Sequence, residues 1–273
     1  MSEVLVTTTD PTVPKEKHLI MMLEQTHDKL IAMKLFGMAA ALKERLSRPD
    51  HQDLTKADLL GLLVEDEWIY RENRKLTARL KLARFKQRAA AIENIDYATP
   101  RGLRKTQILE LAQNRWIKDH QSVLIVGPSG SGKSFLAQAL GLHACRSGFS
   151  AQYLRMPALL TLFVQARAQA TYDRLLKRIS KLDLLIVDDF AIASLSEPQK
   201  QDFLEAIEER HGSGALIITS QLPVTDWHEY LGGGRLADAI LDRIVHNAHR
   251  IDVASKDSMR KAHPLPHGGQ SDI

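Results

Sequence analysis

The chain holds one cysteine in 273 residues, Cys145. An internal disulfide is therefore excluded, and the thiol reads as a small buried apolar residue in preference to a reactive group. No apolar run approaches the 18 or so residues that would cross a bilayer, so no membrane contact is expected. The N-terminal "MSEVLVTTTDPTVPKEK" lacks the basic start and apolar block of a secretory signal and predicts a disordered tail over residues 1–16. These absences together point to the cytoplasm. Internal repeats are also missing. The excess of one charge sign is small overall, with 37 Lys and Arg against 33 Asp and Glu. With 44% apolar and 26% charged residues, the body of the chain has the composition of an ordinary folded protein. The length suits one full domain and a smaller one.

What is present falls into two textures. From His18 to Ser47, Leu19, Leu23, Leu30, Met33, Met38, Ala41 and Leu42 recur at three- and four-residue intervals, which predicts an amphipathic helix with Gly37 as its break. "TKAD", Thr55 to Asp58, has the form of a capping box and starts a second helix. Along it, Arg71, Arg74, Lys75, Arg79, Lys81, Arg84, Lys86 and Arg88 face the single acid Glu72, while Leu76, Leu80 and Ala83 keep an apolar stripe. So lopsided a face is either solvated or set against a polyanion such as nucleic acid. Residues 92–105, with Pro100 and Gly102, read as a linker, and 263–273 as a loose tail.

Beyond the linker, short aliphatic runs alternate with helical segments. "SVLIV", "LLIVDD" and "ALIITSQ" are strands of a parallel sheet buried on both faces, which makes this half an α/β domain. The first run leads into "GPSGSGKSF", residues Gly127, Pro128, Ser129, Gly130, Ser131, Gly132, Lys133, Ser134 and Phe135, and then into a helix. This is the G-x-x-x-x-G-K-[ST] phosphate loop. Its glycines curl backbone N–H groups toward one point, and the helix dipole favours phosphate there. Lys133 is expected at the β- and γ-phosphates of ATP and the Ser134 hydroxyl on Mg²⁺. Asp188 would hold the metal with Ser134, and Asp189 would polarise the attacking water. Of the polar set Thr219, Ser220 and Gln221 at the third strand's end, one would orient that water. Arg235, Arg243 and Arg250 follow; an arginine from a neighbouring subunit would steady charge on the transferred phosphoryl group.

In this order the elements resemble an AAA+ ATPase. More closely, "GPSGSGKSFLAQAL", "LLIVDDF", "ITSQLP" with Trp227 and "RLADAILDRIVHNAHRI" with "DSMRK" resemble the IstB-like transposition helper ATPases, relatives of the DnaC-like helicase loaders. "LKLFGMAAALKERL" and "RENRKLTARLKLARFKQRAAAIENIDY" resemble that family's helical N-terminal region, so the similarity runs from about Lys17 to Lys261. The resemblance implies an AAA+ P-loop core, a central parallel sheet flanked by helices, over residues 96–262, and a small all-helical DNA-binding and assembly domain over 17–95. The end of the sequence soon after Arg260, near a second sensor position, leaves no separate helical lid to be expected. Gln221 takes the sensor position, and Arg243 in "LDRI" is the chosen arginine finger. Aspartate at 189, where many AAA+ proteins have glutamate, is common in this branch.

Function follows from the same resemblance: an ATP-loaded homo-oligomer that binds and bends duplex DNA, presents it to a partner transposase and hydrolyses ATP as a timing step. Loaders carry a DNA-contacting helical insertion before the metal-binding strand, and here that region holds Arg167, Arg174, Lys177, Arg178 and Lys181. These carry no base-reading signature, so phosphate contacts are expected. A helicase loader and an ATP-gated DNA scaffold with little turnover are the alternatives.

Overall fold

The computed structural model describes residues 15–46, 55–87 and 89–254, with the side chains of 15–20 and 46 excepted. By contacts the chain divides between Thr77 and Ala78 into two compact units. The sequence reading placed this division at 95 and 96 instead.

In the first unit, α1 (Lys15–Ala32) and α2 (Phe36–Leu46) bury Leu30, Ala39 and Leu42 against Leu63 of α3 (Lys56–Ala83). The break between α1 and α2 does not fall at Gly37. Lys34 takes the left-handed φ of 61°, with Leu35 N–H on Leu30 O and Lys34 N–H on Ile31 O. This double bond pattern is a Schellman C-cap closed without glycine. Gly37 lies inside α2, and its N–H donates to Glu67 Oε2 at 2.7 Å. The predicted capping box is present: Asp58 N–H donates to Thr55 Oγ1 at 3.1 Å, and Thr55 N–H to Asp58 Oδ2 at 3.2 Å.

The second unit contains the C-terminal end of α3 and the sheet. Five strands, β1 (Ser122–Val126), β2 (Ala151–Arg155), β3 (Leu184–Phe190), β4 (Ala215–Ser220) and β5 (Ala248–Asp252), lie in the order β2-β3-β4-β1-β5, all parallel. The three strands expected from aliphatic runs are the central ones, buried almost throughout. Helices α4 (Lys105–Leu111), α5 (Arg115–Lys118) and α6 (Lys133–Arg146) flank β1 in sequence; α7 (Met156–Ala168) and α8 (Tyr172–Ser180) join β2 to β3. Next come α9 (Glu197–Glu208), α10 (Trp227–Tyr230) and α11 (Gly234–Val245). Leu124, Val187 and Ile218 pack on one face with Phe163, Phe203, Trp227 and Ile240. Each side chain of that size contributes about 1.5–3 kcal/mol on burial.

The segment expected as a linker is packed structure. Arg101 is only 3% exposed; its Nη1 donates to Ser131 O at 2.9 Å and its Nη2 to Asp96 O at 2.6 Å. A buried guanidinium needs such acceptors, and here they tie residues 96–101 to the phosphate loop. Burial lowers the Arg101 pKa from its ordinary value.

Candidate nucleotide site

The site grows from the carboxyl ends of three adjacent strands. β4 lies between β1 and β3, so the loop after β1 and the acids of β3 flank the last residues of β4. At the start of the loop, Gly127 N–H donates to Ser220 O at 3.1 Å. Gly130 and Gly132 take φ of 78° and 95°, a left-handed backbone that side chains with a Cβ rarely adopt, and Gly132 caps α6. Lys133 Nζ folds back over the loop and donates to Pro128 O at 2.8 Å. Ser131 Oγ is buried within the loop without a hydrogen-bond partner among the described residues, as expected of a loop built around a polar ligand. Pro128 and Ser129 are exposed at the loop's tip, and Phe135 is half-buried in the first turn of α6.

Asp188 is the hub. Its Oδ1 accepts from Ser134 Oγ at 2.9 Å and from the Thr219 hydroxyl, and its Oδ2 accepts from the Tyr153 hydroxyl at 2.5 Å. Burial and the bond to Asp188 push the Tyr153 pKa strongly up, so the phenol stays a donor. Thr219 also accepts from Asp189 N–H at 3.1 Å. One hydroxyl on β4 thus holds both acids. Asp189 itself has a left-handed φ of 60°, within an irregularity of the β3–β4 ladder. Its Oδ2 meets Arg155 Nε, at the end of β2, at 2.7 Å; this bond raises the Arg155 pKa.

Oxygen donors of this kind suit Mg²⁺, which keeps waters and substrate phosphates and takes few protein ligands. Ser134 and Asp188 are the pair that fits it. Among the described residues no group of three or more His, Cys, Asp and Glu could hold a metal.

The other expected residues lie as follows. Gln221 is exposed just past β4, and the hydroxyl between the acids belongs to Thr219. Arg243 sits near the opposite end of the sheet, lining a small recess with His120, Ser122, Gly214 and Leu216, and pairs with Asp242 at 2.8 Å and Glu208 at 3.6 Å. Arg235 and Arg250 are exposed. Arg88 and Arg260 lie outside the described residues.

The basic residues divide likewise. Arg74, Lys81, Arg84 and Lys86 are exposed, whereas Lys75 pairs with Glu72 at 2.8 Å and Arg79 Nη1 donates to Gly148 O at 3.1 Å. Arg167 is engaged within the fold, with Nε 2.8 Å from Asp202 Oδ1 and its guanidinium 3.8 Å from the centre of the Tyr172 ring. On α8, Leu175 and Ile179 face inward, leaving Arg174, Lys177 and Arg178 exposed.

Sequence reasoning missed Tyr153, Arg155 and Arg101. The first two share a strand face at two-residue spacing, a signal hidden because Gln152 and Arg155 interrupt the apolar run.

A family model described as IstB-like ATP binding protein matches residues 28–265. The chain belongs to that family. It is 46% identical over 241 residues to the insertion sequence ATP-binding protein y4pL of Sinorhizobium fredii, covering 88% of this chain and 98% of that one. With the ATP-binding protein of insertion sequence IS1162 from Pseudomonas fluorescens it shares 39% over 203 residues, 74% of this chain and 88% of that one. The IstB-like chain also shares its fold with AMPPCP-bound DnaA from Aquifex aeolicus, at a TM-score of 0.53 and 20% identity over 64% of this chain and 53% of that chain. ATP binding is what the family's description names, and both relatives are described as ATP-binding proteins of insertion sequences. Among the described residues, no helix is long and apolar enough to cross a membrane.

Proposed function

We propose that this IstB-like protein is an ATPase that assembles as a homo-oligomer on duplex DNA, presents that DNA to the transposase of its insertion sequence and stimulates it. The observation that carries this reading is the network in which the loop hydroxyl of Ser134, the buried carboxylate of Asp188 and the Thr219 hydroxyl meet beside Asp189. This network supports the nucleotide chemistry of the reading, and the exposed cations Arg174, Lys177 and Arg178 of α8 support its DNA contact.

ATP would supply the phosphoryl group, and Mg²⁺, when bound, would neutralise charge on its oxygens. The N–H groups of the loop and of the first turn of α6 would bind phosphate, Lys133 would hold the β- and γ-oxygens, and Ser134 with Asp188 would hold the metal. Asp189 accepts a proton from the attacking water. Gln221, exposed at the strand end, is assigned an orienting role toward that water. Arg243 faces away from its own phosphate loop, as suits an arginine given to a neighbouring subunit. The helical region at 17–95 and α8 supply phosphate contacts to DNA, chiefly through Arg74, Lys81, Arg84, Lys86, Arg174, Lys177 and Arg178.

The test measures particle size and phosphate release with ATP, with and without duplex DNA. The intact chain should assemble and turn over faster on duplex. Lys133→Ala should lose nucleotide binding and assembly, Asp189→Asn should bind without turnover, and Arg243→Ala should bind but lose DNA stimulation. A preference for single-stranded DNA would favour the helicase-loader alternative, and turnover retained in Asp189→Asn would remove that acid's role.

A further inference from the structure

The turn that follows α3 carries two exposed cations, Arg84 and Lys86. Arg84 has a left-handed φ of 54°, which redirects the chain at this point. Two contacts fix the turn to α6. Gln138, 1% exposed on the second turn of that helix, accepts through Oε1 the N–H groups of Lys86 at 2.7 Å and Gln87 at 3.0 Å. Its Nε2 donates to Ser134 O at 3.0 Å. The amide orientation is imposed by its partners, since two N–H groups demand an acceptor and a carbonyl demands a donor.

Three residues on, along the same face, a Cβ on Gly141 would come within 2.8 Å of Phe85 Cζ and 2.6 Å of Ile186 Cδ1. The Phe85 ring therefore lies against the bare backbone of α6. The polar clasp at Gln138 and the close packing at Gly141 hold the turn to α6 at two successive points along one helix face.

α6 is also the helix whose first turn receives phosphate, and Gln138 lies about 6 Å along its axis from Ser134. We infer that Gln138 is a positioning residue that makes nucleotide affinity and DNA affinity depend on each other, by locking Arg84 and Lys86 to the helix that holds the phosphates. This rests on the ATP- and DNA-binding reading above. Coupling of this kind requires the turn and α6 to move as one piece, because a ligand shifts a second site only through an element both of them bias. The clasp supplies that piece. It is a binding device, and Gln138 touches neither ligand.

The experiment titrates the full chain with a fluorescent duplex, with and without a non-hydrolysable ATP analogue and Mg²⁺, and the nucleotide with and without duplex. In the unaltered protein the analogue should shift the duplex Kd by roughly 5- to 150-fold, and duplex should shift the nucleotide Kd by the same factor. Gln138→Leu should bring both factors to about one while leaving each ligand's affinity, measured alone, within about threefold. Phe85→Ala, which keeps the amide clasp and removes the ring, should lower the shared factor as well and serves if the leucine variant does not fold. The inference is overturned by a variant that keeps the full factor, by a loss of DNA affinity equal in the presence and absence of nucleotide, or by an unaltered protein that binds both ligands independently. An unaltered protein that fails to bind one of them overturns the proposed function itself, and the inference with it.

Discussion

Arg155 Nε lies 2.7 Å from Asp189 Oδ2, joining the last residue of β2 to the second acid of β3. The pair has a direct consequence for turnover. A carboxylate oxygen that accepts from a guanidinium is less available to take a proton from water. Arg155 is also the residue immediately before α7, which leads directly into α8 and its exposed cations. Arg155→Ala is therefore expected to raise phosphate release without DNA several-fold and to shrink the further stimulation by DNA, with ATP affinity little changed. Steady-state phosphate release with and without duplex checks this. An unchanged basal rate with intact stimulation would separate Arg155 from the reaction.

In the first unit, Glu67 is buried and accepts at Oε2 from Gly37 N–H at 2.7 Å and Met38 N–H at 3.1 Å, while its Oε1 meets Arg71 Nε at 2.7 Å. Burial pushes its pKa up, but the bonds from Arg71, Met38 and Gly37 outweigh burial and hold it below its ordinary 4.5. The folded state thus binds the proton more weakly than the unfolded one. Its contribution to stability is complete above about pH 4.5 and is lost as the pH falls through the lower folded value. Chemical denaturation of the intact chain from pH 7 downward should show this loss, and Glu67→Gln should flatten that part of the curve. An equally steep decline in the glutamine variant would place the titrating group elsewhere.

Phosphate contacts by α8 should appear in the salt dependence of duplex binding. Each cation that neutralises a phosphate contributes about 0.9 to the slope of log K against log salt. Lys177→Ala with Arg178→Ala is expected to weaken duplex binding to a similar degree across sequences and to flatten the slope by up to about 1.8. Arg167→Ala should act differently. Its guanidinium is bound to Asp202 and stacked on Tyr172, so its loss should lower thermal stability and leave the salt slope in place. Anisotropy titrations at several salt concentrations, paired with melting curves, distinguish the two.

The phosphate loop, Asp188, Asp189 and the three central strands were legible because each has a local signature: a glycine pattern, or an aliphatic run ended by polar residues. The edge strands were not. β5 reads "AHRID" and exposes His249, Arg250 and Asp252, so it lacks the run that burial imposes on its neighbours. The turn at Lys34 escaped because a left-handed C-cap usually carries glycine, and the nearby Gly37 drew the break to itself. Thr219, Ser220 and Gln221 are all polar, and composition does not tell that the strand ends at Ser220 and that Thr219 lies between the acids. Sequence also conceals partners far along the chain. Arg167 and Asp202 are 35 positions apart, as are Tyr153 and Asp188, and only the fold brings them together.

The position of β4 sets a distance. With one strand between them, β1 and β3 stand two strand spacings apart, about 10 Å, and this separation is held by backbone hydrogen bonds along both ladders. The loop that leaves β1 carries Ser134, in the first turn of α6, to within 2.9 Å of Asp188 on β3. The sheet therefore acts as a ruler whose graduations are peptide groups. Exchanges among Val, Ile and Leu along these strands can alter packing without changing the gauge, so the core is free to drift in sequence while the gap stays the same.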